Sequence, residues 1–257
     1  MPMQNLSWLT SRPIAHRGFH DKDAGVLENT PSATQAAIDN NFSIEVDLQE
    51  TKDGRVIVFH DQHLDRLTEG EGQVIDYDLA DLRKLSLRGS TDHLWSLEEV
   101  LEQVNGKVPL VIEIKSLNLK AGQHEFIKTI GNTLSAYIGP VAIKSFDQHM
   151  LRCMKGVAPQ IPRGAISMTS FGYDKLERLT EHERKHISWM LHMAGTDPHF
   201  VSYYVKDLPA DGTSFLREFY GLPIMTWTVR SKEDRINAAK YADQIVFEGF
   251  NPDKDPI

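Results

Sequence analysis

IAHRGFHDKDAGVLENTPSATQAAIDNNFSIEVDLQETKDGRVIVFHDQHLDRLT, residues 14 to 68, is the stretch that decides the fold. Ile14-Ala15 is a short buried strand that ends in the turn His16-Arg17-Gly18. Glu28-Asn29-Thr30-Pro31-Ser32 opens a helix that runs to about Asn41, with Thr30 as N-cap and Pro31 at the first helical position. Ser43 to Thr51 alternates apolar and polar residues and reads as a strand. Asp53-Gly54 is a hairpin turn, and Val56-Ile57-Val58-Phe59 returns as a further strand. His16, Glu45, Asp47 and His60 all sit on these strands or just past their ends.

The rest of the chain repeats strand, then helix. Strands are predicted over Leu110–Ile114, Val141–Lys144, Arg163–Ile166, Phe200–Val205, Pro223–Val229 and Gln244–Phe247. Helices are predicted over His124–Tyr137, Asp147–Lys155, Ser214–Tyr220 and Lys232–Tyr241, and a polar helical stretch over Tyr173–His192. About eight core strands alternating with helices predict a parallel sheet with helices outside. In 257 residues, close to the roughly 250 of an eight-fold barrel, this is the α/β pattern of a TIM (β/α)8 barrel. The whole chain, 1–257, reads as one domain. Residues 61–106 break the alternation with many turn residues between the second and third core strands. They are expected to form a small insertion over the barrel mouth, too short to hold a core of its own. Within it, Asp78–Leu85 and Ser96–Val104 read as short helices, the latter with a Ser96/Glu99 capping box.

Composition narrows the class of partner. Apolar residues make up 40% and charged residues 25% of the chain, as in ordinary globular proteins. Lys and Arg number 28 against 36 Asp and Glu, a net charge of −8, which argues against a nucleic-acid partner. Cys153 is the sole cysteine, so no intramolecular disulfide forms. That suits a cytoplasmic location. Met1 to Arg12 lacks the layout of a signal peptide, and no stretch approaches the ~20 apolar residues of a transmembrane segment.

The chemistry gathers at strand ends, where a barrel of this kind builds its active site. Glu45 and Asp47 are two apart on a strand and face the same side. Two adjacent carboxylates repel, the more so when buried, and a divalent cation relieves that. Glu113, near the end of the next core strand, is placed to add a third oxygen. Oxygen-only ligands point to Mg²⁺ or Ca²⁺ rather than Zn²⁺. A solvated face on an edge strand is the plainer reading of the acid pair. His16 and His60 can divide acid and base roles, or serve as structural histidines. Arg17 and Lys115 can hold phosphate oxygens, or form surface salt bridges. Taken together, the set reads as metal-assisted chemistry on a phosphate. His20, His63, His93, His124, His149, His182, His186, His192 and His199 have no comparable neighbours and read as surface or structural.

The ordered His-Arg, Glu-x-Asp and His-Asp pieces, with WSLEEVL, VPLVIEIKS and LPIMTWTVRSKED further on, resemble the glycerophosphodiester phosphodiesterase family. The resemblance covers most of the chain. It implies a barrel with a small insertion after the second core strand. It also implies one divalent cation, Mg²⁺ or Ca²⁺, on Glu45, Asp47 and Glu113. By the same resemblance His16 and His60 are the general acid and base, in either order. Arg17 and Lys115 match phosphate-binding positions, and Trp227 a pocket-lining one. The implied substrate is a small glycerophosphodiester, cleaved to glycerol 3-phosphate and an alcohol through a cyclic phosphate. Glu28, in the matching ENT, belongs near the metal, beside a catalytic histidine, or at the helix dipole. Asp61 either orients a histidine or caps its turn.

Some pieces depart from the family pattern. The Phe19–Leu27 loop is long and charged, and is expected to narrow the mouth or contact the alcohol. Trp95-Ser96 replaces Pro-Thr, Arg230 stands where Asn is common, and DQIVFEGFNP replaces DGIITDRP. These are expected to touch none of the metal or acid–base residues and to bear only on the choice of alcohol. Two other readings fit the same residues. A lysophospholipase-D-like enzyme would show an apolar lip near Phe19, Trp95 or the insertion. A non-catalytic binder would have lost one of His16, His60, Glu45 or Asp47, and all four are present.

Overall fold

The computed structural model describes residues 6–117, 123–169 and 180–255. Eight parallel strands close into a barrel: β1 (Ile14–Ala15), β2 (Ser43–Glu50), β4 (Leu110–Ile114), β5 (Val141–Ser145), β6 (Arg163–Ser167), β7 (Phe200–Tyr204), β8 (Ile224–Val229) and β9 (Gln244–Phe247). Closure falls on the two-residue β1, whose Ile14 pairs with Ser43 of β2 and with Val246 of β9. β3 (Val56–Val58) is the expected hairpin partner, antiparallel to the C-terminal half of β2. Gly54 turns that hairpin at φ +72°, a conformation glycine adopts without a Cβ clash.

Period two sorts each strand into two faces. Ile44, Val46 and Leu48 of β2 and Leu110, Ile112 and Ile114 of β4 pack outward into the main apolar layer. That layer includes Ala37 of α1 (Pro31–Asp39), Val100 of α3 (Leu97–Val104), Phe126 of α4 (His124–Ser135) and Met150 of α5 (Gln148–Val157). The alternate residues point into the barrel. Ile14, Val111, Ala142, Phe200, Met225 and Val246 fill its lower part, sealed by Leu9. Phe200 crosses the interior so closely that a Cβ on Gly164 of β6 would lie 2.1 Å from its ring. With the lower barrel packed solid, only the mouth is left for polar side chains.

The helices start where the sequence signals them. The Thr30 side chain accepts a hydrogen bond from the Ala33 amide, and Pro31 follows it at the first turn of α1. The Glu99 carboxylate accepts from the Ser96 amide at 2.8 Å at the start of α3. α6 (Glu181–Ser188) lies within the polar stretch predicted as helical, and residues 173–179 of that prediction fall outside the described residues. α7 (Asp211–Tyr220) and α8 (Lys232–Tyr241) complete the outer layer.

Residues 61–106 carry the single-turn α2 (Leu79–Leu82) and α3. Leu64, Leu67, Val74, Leu82 and Leu87 form an apolar cluster of their own, against Leu27 and against Ile57 and Phe59 of the hairpin. The segment thus holds more of a core than its length suggests. It does so by leaning on β3, which extends the barrel wall at the mouth.

Candidate active site

Register brings the central acids together. Asp47 of β2 lies level with Glu113 of β4, and Glu113 level with Lys144 of β5. Side chains level across parallel strands share a face, so all three enter the barrel beside Glu45. Glu45, Asp47, Glu113 and Lys144 are all buried. One oxygen from each of the three carboxylates lies within 4.8 Å of the others.

Three cations balance the three acids. Lys144 Nζ is 2.9 Å from Glu45 Oε1 and 3.5 Å from Glu113 Oε2. Lys115 Nζ is 2.8 Å from Asp47 Oδ1 and in direct contact with Glu113 Oε1. Arg17 Nε is 3.4 Å from Asp47 Oδ2. Burial pushes the Asp47 carboxyl up, but the charges of Lys115, His60, Arg17 and His16 win and hold it well below the usual range. Burial likewise opposes the Lys115 ammonium, and Asp47 and Glu113 outweigh it and raise its pKa. Glu45 Oε1 and Asp47 Oδ1 are buried acceptors whose partners are the ammonium groups of Lys144 and Lys115. Three buried carboxylates converging on one point could hold a divalent cation.

Each histidine has a carboxylate at Nδ1. His16 follows β1, and its Nδ1 is 2.9 Å from Glu248 Oε2. Glu248 follows β9, the strand that barrel closure places beside β1. Arg230 Nη2 is 2.7 Å from the same Glu248 oxygen. Burial raises the Glu248 carboxyl, but hydrogen bonds from His16 and Arg230 pull it far below the ordinary range. His60 follows β3, and its Nδ1 is 2.6 Å from Asp61 Oδ1. Arg66, from the insertion, donates to Asp61 Oδ2. Against the upward push of burial, His60 and Arg66 hold Asp61 far below its usual value. A carboxylate at Nδ1 favours the proton there and leaves Nε2 as the exchanging nitrogen.

The His16-Arg17-Gly18 turn is held tightly. Arg17 sits at φ +58° and Gly18 at φ +81°. A Cβ on Gly18 would come within 2.8 Å of the Ala33 backbone of α1, so no other residue fits. The Gly18 amide donates to the Glu45 carbonyl at 3.1 Å. The Arg17 amide donates to Glu45 Oε2 at 3.0 Å. Glu28 pairs with Arg17 at 2.7 Å and with Arg66 at 2.7 Å. Arg17 in turn stands 3.4 Å from Asp47 Oδ2. Asn29 clasps Asp47, donating from Nδ2 at 2.9 Å and accepting the Asp47 amide at 3.2 Å. Its own carbonyl accepts from Trp95 Nε1 at 2.8 Å. Trp95 is therefore a buried support for Asn29. Trp227 Nε1 donates to the Ser202 carbonyl at 3.1 Å, and its ring lies 5.6 Å from that of Phe146 and 5.2 Å from that of Tyr204.

One expectation is corrected. The EGFNP ending does touch His16, through Glu248, and Arg230 binds Glu248 rather than a histidine. Closure of β9 onto β1 brings a residue from the end of the chain against one near its beginning. Within the Phe19–Leu27 loop, Phe19 turns inward. Its ring packs on Phe42 and Phe247, 5.3 Å and 6.0 Å away. Sequence reasoning also passed over Lys144, Asn29 and Arg66. Lys144 had a signal, a lysine directly after the apolar run Val141–Ile143 and one residue before the strand end.

A family model described as the glycerophosphoryl diester phosphodiesterase family matches residues 16–253. A glycerophosphodiester phosphodiesterase of Caldanaerobacter subterraneus subsp. tengcongensis is 37% identical over 163 residues, 60% of this chain and 65% of that protein. One from Bacillus subtilis (strain 168) is 33% identical over 172 residues, 58% of this chain and 57% of that protein. The chain thus spans rather less than two thirds of the length of these two curated relatives. Among solved structures, an Oleispira antarctica phosphodiesterase in complex with the product sn-glycerol-3-phosphate superposes with a TM-score of 0.76 at 20% identity. That match covers 93% of this chain and 94% of the other, and it shows the shared barrel fold.

Proposed function

The chain belongs to the glycerophosphoryl diester phosphodiesterase family, and on that premise we propose that it hydrolyses glycerophosphodiesters to sn-glycerol 3-phosphate and an alcohol. The observation that carries this reading is the buried Glu45, Asp47, Glu113 triad at the mouth, with the His16–Glu248 and His60–Asp61 pairs joined to the same turns and strands. The triad is the set that would hold one Mg²⁺ or Ca²⁺, which when bound neutralises phosphate charge.

The chain's own groups do the rest. Arg17 and Lys115 line the acid cluster with positive charge and bind the phosphate oxygens. One histidine, through Nε2, takes the proton of the glycerol hydroxyl next to the phosphate as that oxygen attacks phosphorus. The other donates its Nε2 proton to the departing alcohol oxygen. The product of this step is a cyclic glycerophosphate. Water opens the ring with the two proton roles reversed. Glu248 and Asp61 hold each imidazole in the required tautomer and balance its charge when it is doubly protonated. Trp227 forms an aromatic wall with Tyr204 and Phe146.

Glycerophosphocholine and glycerophosphoethanolamine are the first substrates to assay. Release of glycerol 3-phosphate with Mg²⁺ or Ca²⁺, its loss in EDTA, and its abolition in His16→Ala and in Glu45→Ala are the expected results. Folded protein that releases none with either metal overturns this reading, and turnover of lysophospholipids alone replaces it with the lysophospholipase-D one. Of the places where that reading expects an apolar lip, Trp95 is buried and the Phe19 ring packs on Phe42 and Phe247.

A further inference from the structure

Outside the mouth, α4 and α5 bring together three side chains that the sequence alone does not connect. His149 and Cys153 are four apart on α5 and share a helix face. His124 is the first residue of α4. Cys153 Sγ lies 3.4 Å from His149 Nε2 and 3.5 Å from His124 Nδ1. The two imidazole centroids are 5.1 Å apart. One nitrogen or sulfur from each residue lies within 4.8 Å of the others.

These distances can be compared with a metal site. Zinc binds sulfur at ~2.3 Å and imidazole nitrogen at ~2.0–2.1 Å in tetrahedral geometry, which sets the sulfur–nitrogen edge at about 3.6 Å. Both observed separations fall close to that edge. Hydrogen bonds fill the same distances, with Sγ–H donated to one ring and an N–H of the other ring donated to the sulfur. Two imidazole nitrogens and one sulfur within 4.8 Å of one another also make a ligand set that a shared cation uses. We propose that His124, His149 and Cys153 form a second metal site, for a borderline-soft divalent cation of the zinc class, joining α4 to α5.

The two candidate sites differ in hardness. The mouth offers only carboxylate oxygen, suited to Mg²⁺ or Ca²⁺, whereas this one offers two nitrogens and a sulfur. As the metal–sulfur bond forms, Cys153 releases its proton to solvent. The site also lies close to the chemistry along the chain. α4 and α5 follow β4 and β5, which carry Glu113 and Lys144. The loops between them are tied by Ser116 Oγ donating to Asp147 Oδ2 at 2.5 Å. A cation here would fasten the helices that flank these strands.

Cobalt is a spectroscopic stand-in that separates the two sites. Co²⁺ is titrated into the reduced full chain. Saturable thiolate-to-cobalt charge transfer in the near ultraviolet, with the visible bands of four-coordinate cobalt, is expected, and added Zn²⁺ should abolish both. Cys153→Ser and His149→Ala should each lose the charge-transfer band while keeping the wild-type circular dichroism. Glu45→Gln should retain it. Folded, reduced wild type with no charge-transfer band overturns the proposal. So does a band that survives in the His124→Ala/His149→Ala pair, which would mark a bare thiol.

Discussion

Lys144→Met tests how the buried charges of the mouth are balanced. Lys144 is buried, with Nζ 2.9 Å from Glu45 Oε1 and 3.5 Å from Glu113 Oε2. At an effective dielectric of ~20, each contact is an attraction of about 5 kcal/mol before desolvation is counted. Desolvation of the ammonium offsets much of this, so the two contacts do not add to a net gain. Removing one partner of a buried pair costs about 3–5 kcal/mol, because the charge left behind stays buried. Methionine keeps most of the side-chain volume, so the loss reports charge rather than a cavity. The assay is urea unfolding by circular dichroism in EDTA and again with saturating Mg²⁺ or Ca²⁺. In EDTA the variant should lose about 3–5 kcal/mol. A cation at a hundredfold excess over its Kd adds about 2.7 kcal/mol to any protein that binds it only when folded. The variant should gain more than wild type at the same cation concentration, since its carboxylates no longer share a competing ammonium. A loss under about 1 kcal/mol, the scale of an exposed pair, would refute the reasoning. So would a gain from cation no larger than that of wild type.

Further outcomes follow from the same contacts. Glu248→Gln keeps a hydrogen-bond acceptor beside His16 but removes its charge, so kcat should fall about 5–30-fold, the equivalent of roughly 1–2 kcal/mol of charge-assisted bonding, with KM little changed. Unchanged turnover would show that Glu248 has no part in positioning the imidazole. Glu248 and Asp61 both have folded-state carboxyls below their unfolded values. Their contribution to stability is complete above about pH 5 and is lost as pH falls through the unfolded and then the depressed folded values. Urea midpoints measured against pH should therefore drop less steeply on the acid side in Glu248→Gln than in wild type. Asn29→Ala removes the clasp on Asp47 and should weaken Mg²⁺ or Ca²⁺ about 10–100-fold, read by metal-dependent activity. Trp227→Ala should raise KM more than it lowers kcat, and equal effects on both would place the ring in the chemical step.

How far the sequence can be read depends on how local the deciding physics is. The alternation in SIEVDLQE fixes which side of β2 each residue faces, because side-chain direction reverses at every position of a strand. Glu45 and Asp47 could therefore be paired from their spacing alone, and Thr30-Pro31 marked the start of α1. Eight core strands alternating with helices imply a closed barrel by connectivity, and His16, His60 and Glu113 fall at its mouth by position along their strands. The partners of these residues are another matter. Lys144 reaches Glu45 and Glu113 only because β5 pairs with β4 in a particular register. Glu248 reaches His16, 232 positions away in sequence, only because β9 closes onto β1. His124 meets His149 and Cys153 because two helices pack side by side. Local periodicity sets which way a side chain points, whereas register, closure and helix packing are properties of the whole folded chain. They alone decided which charges stand against which.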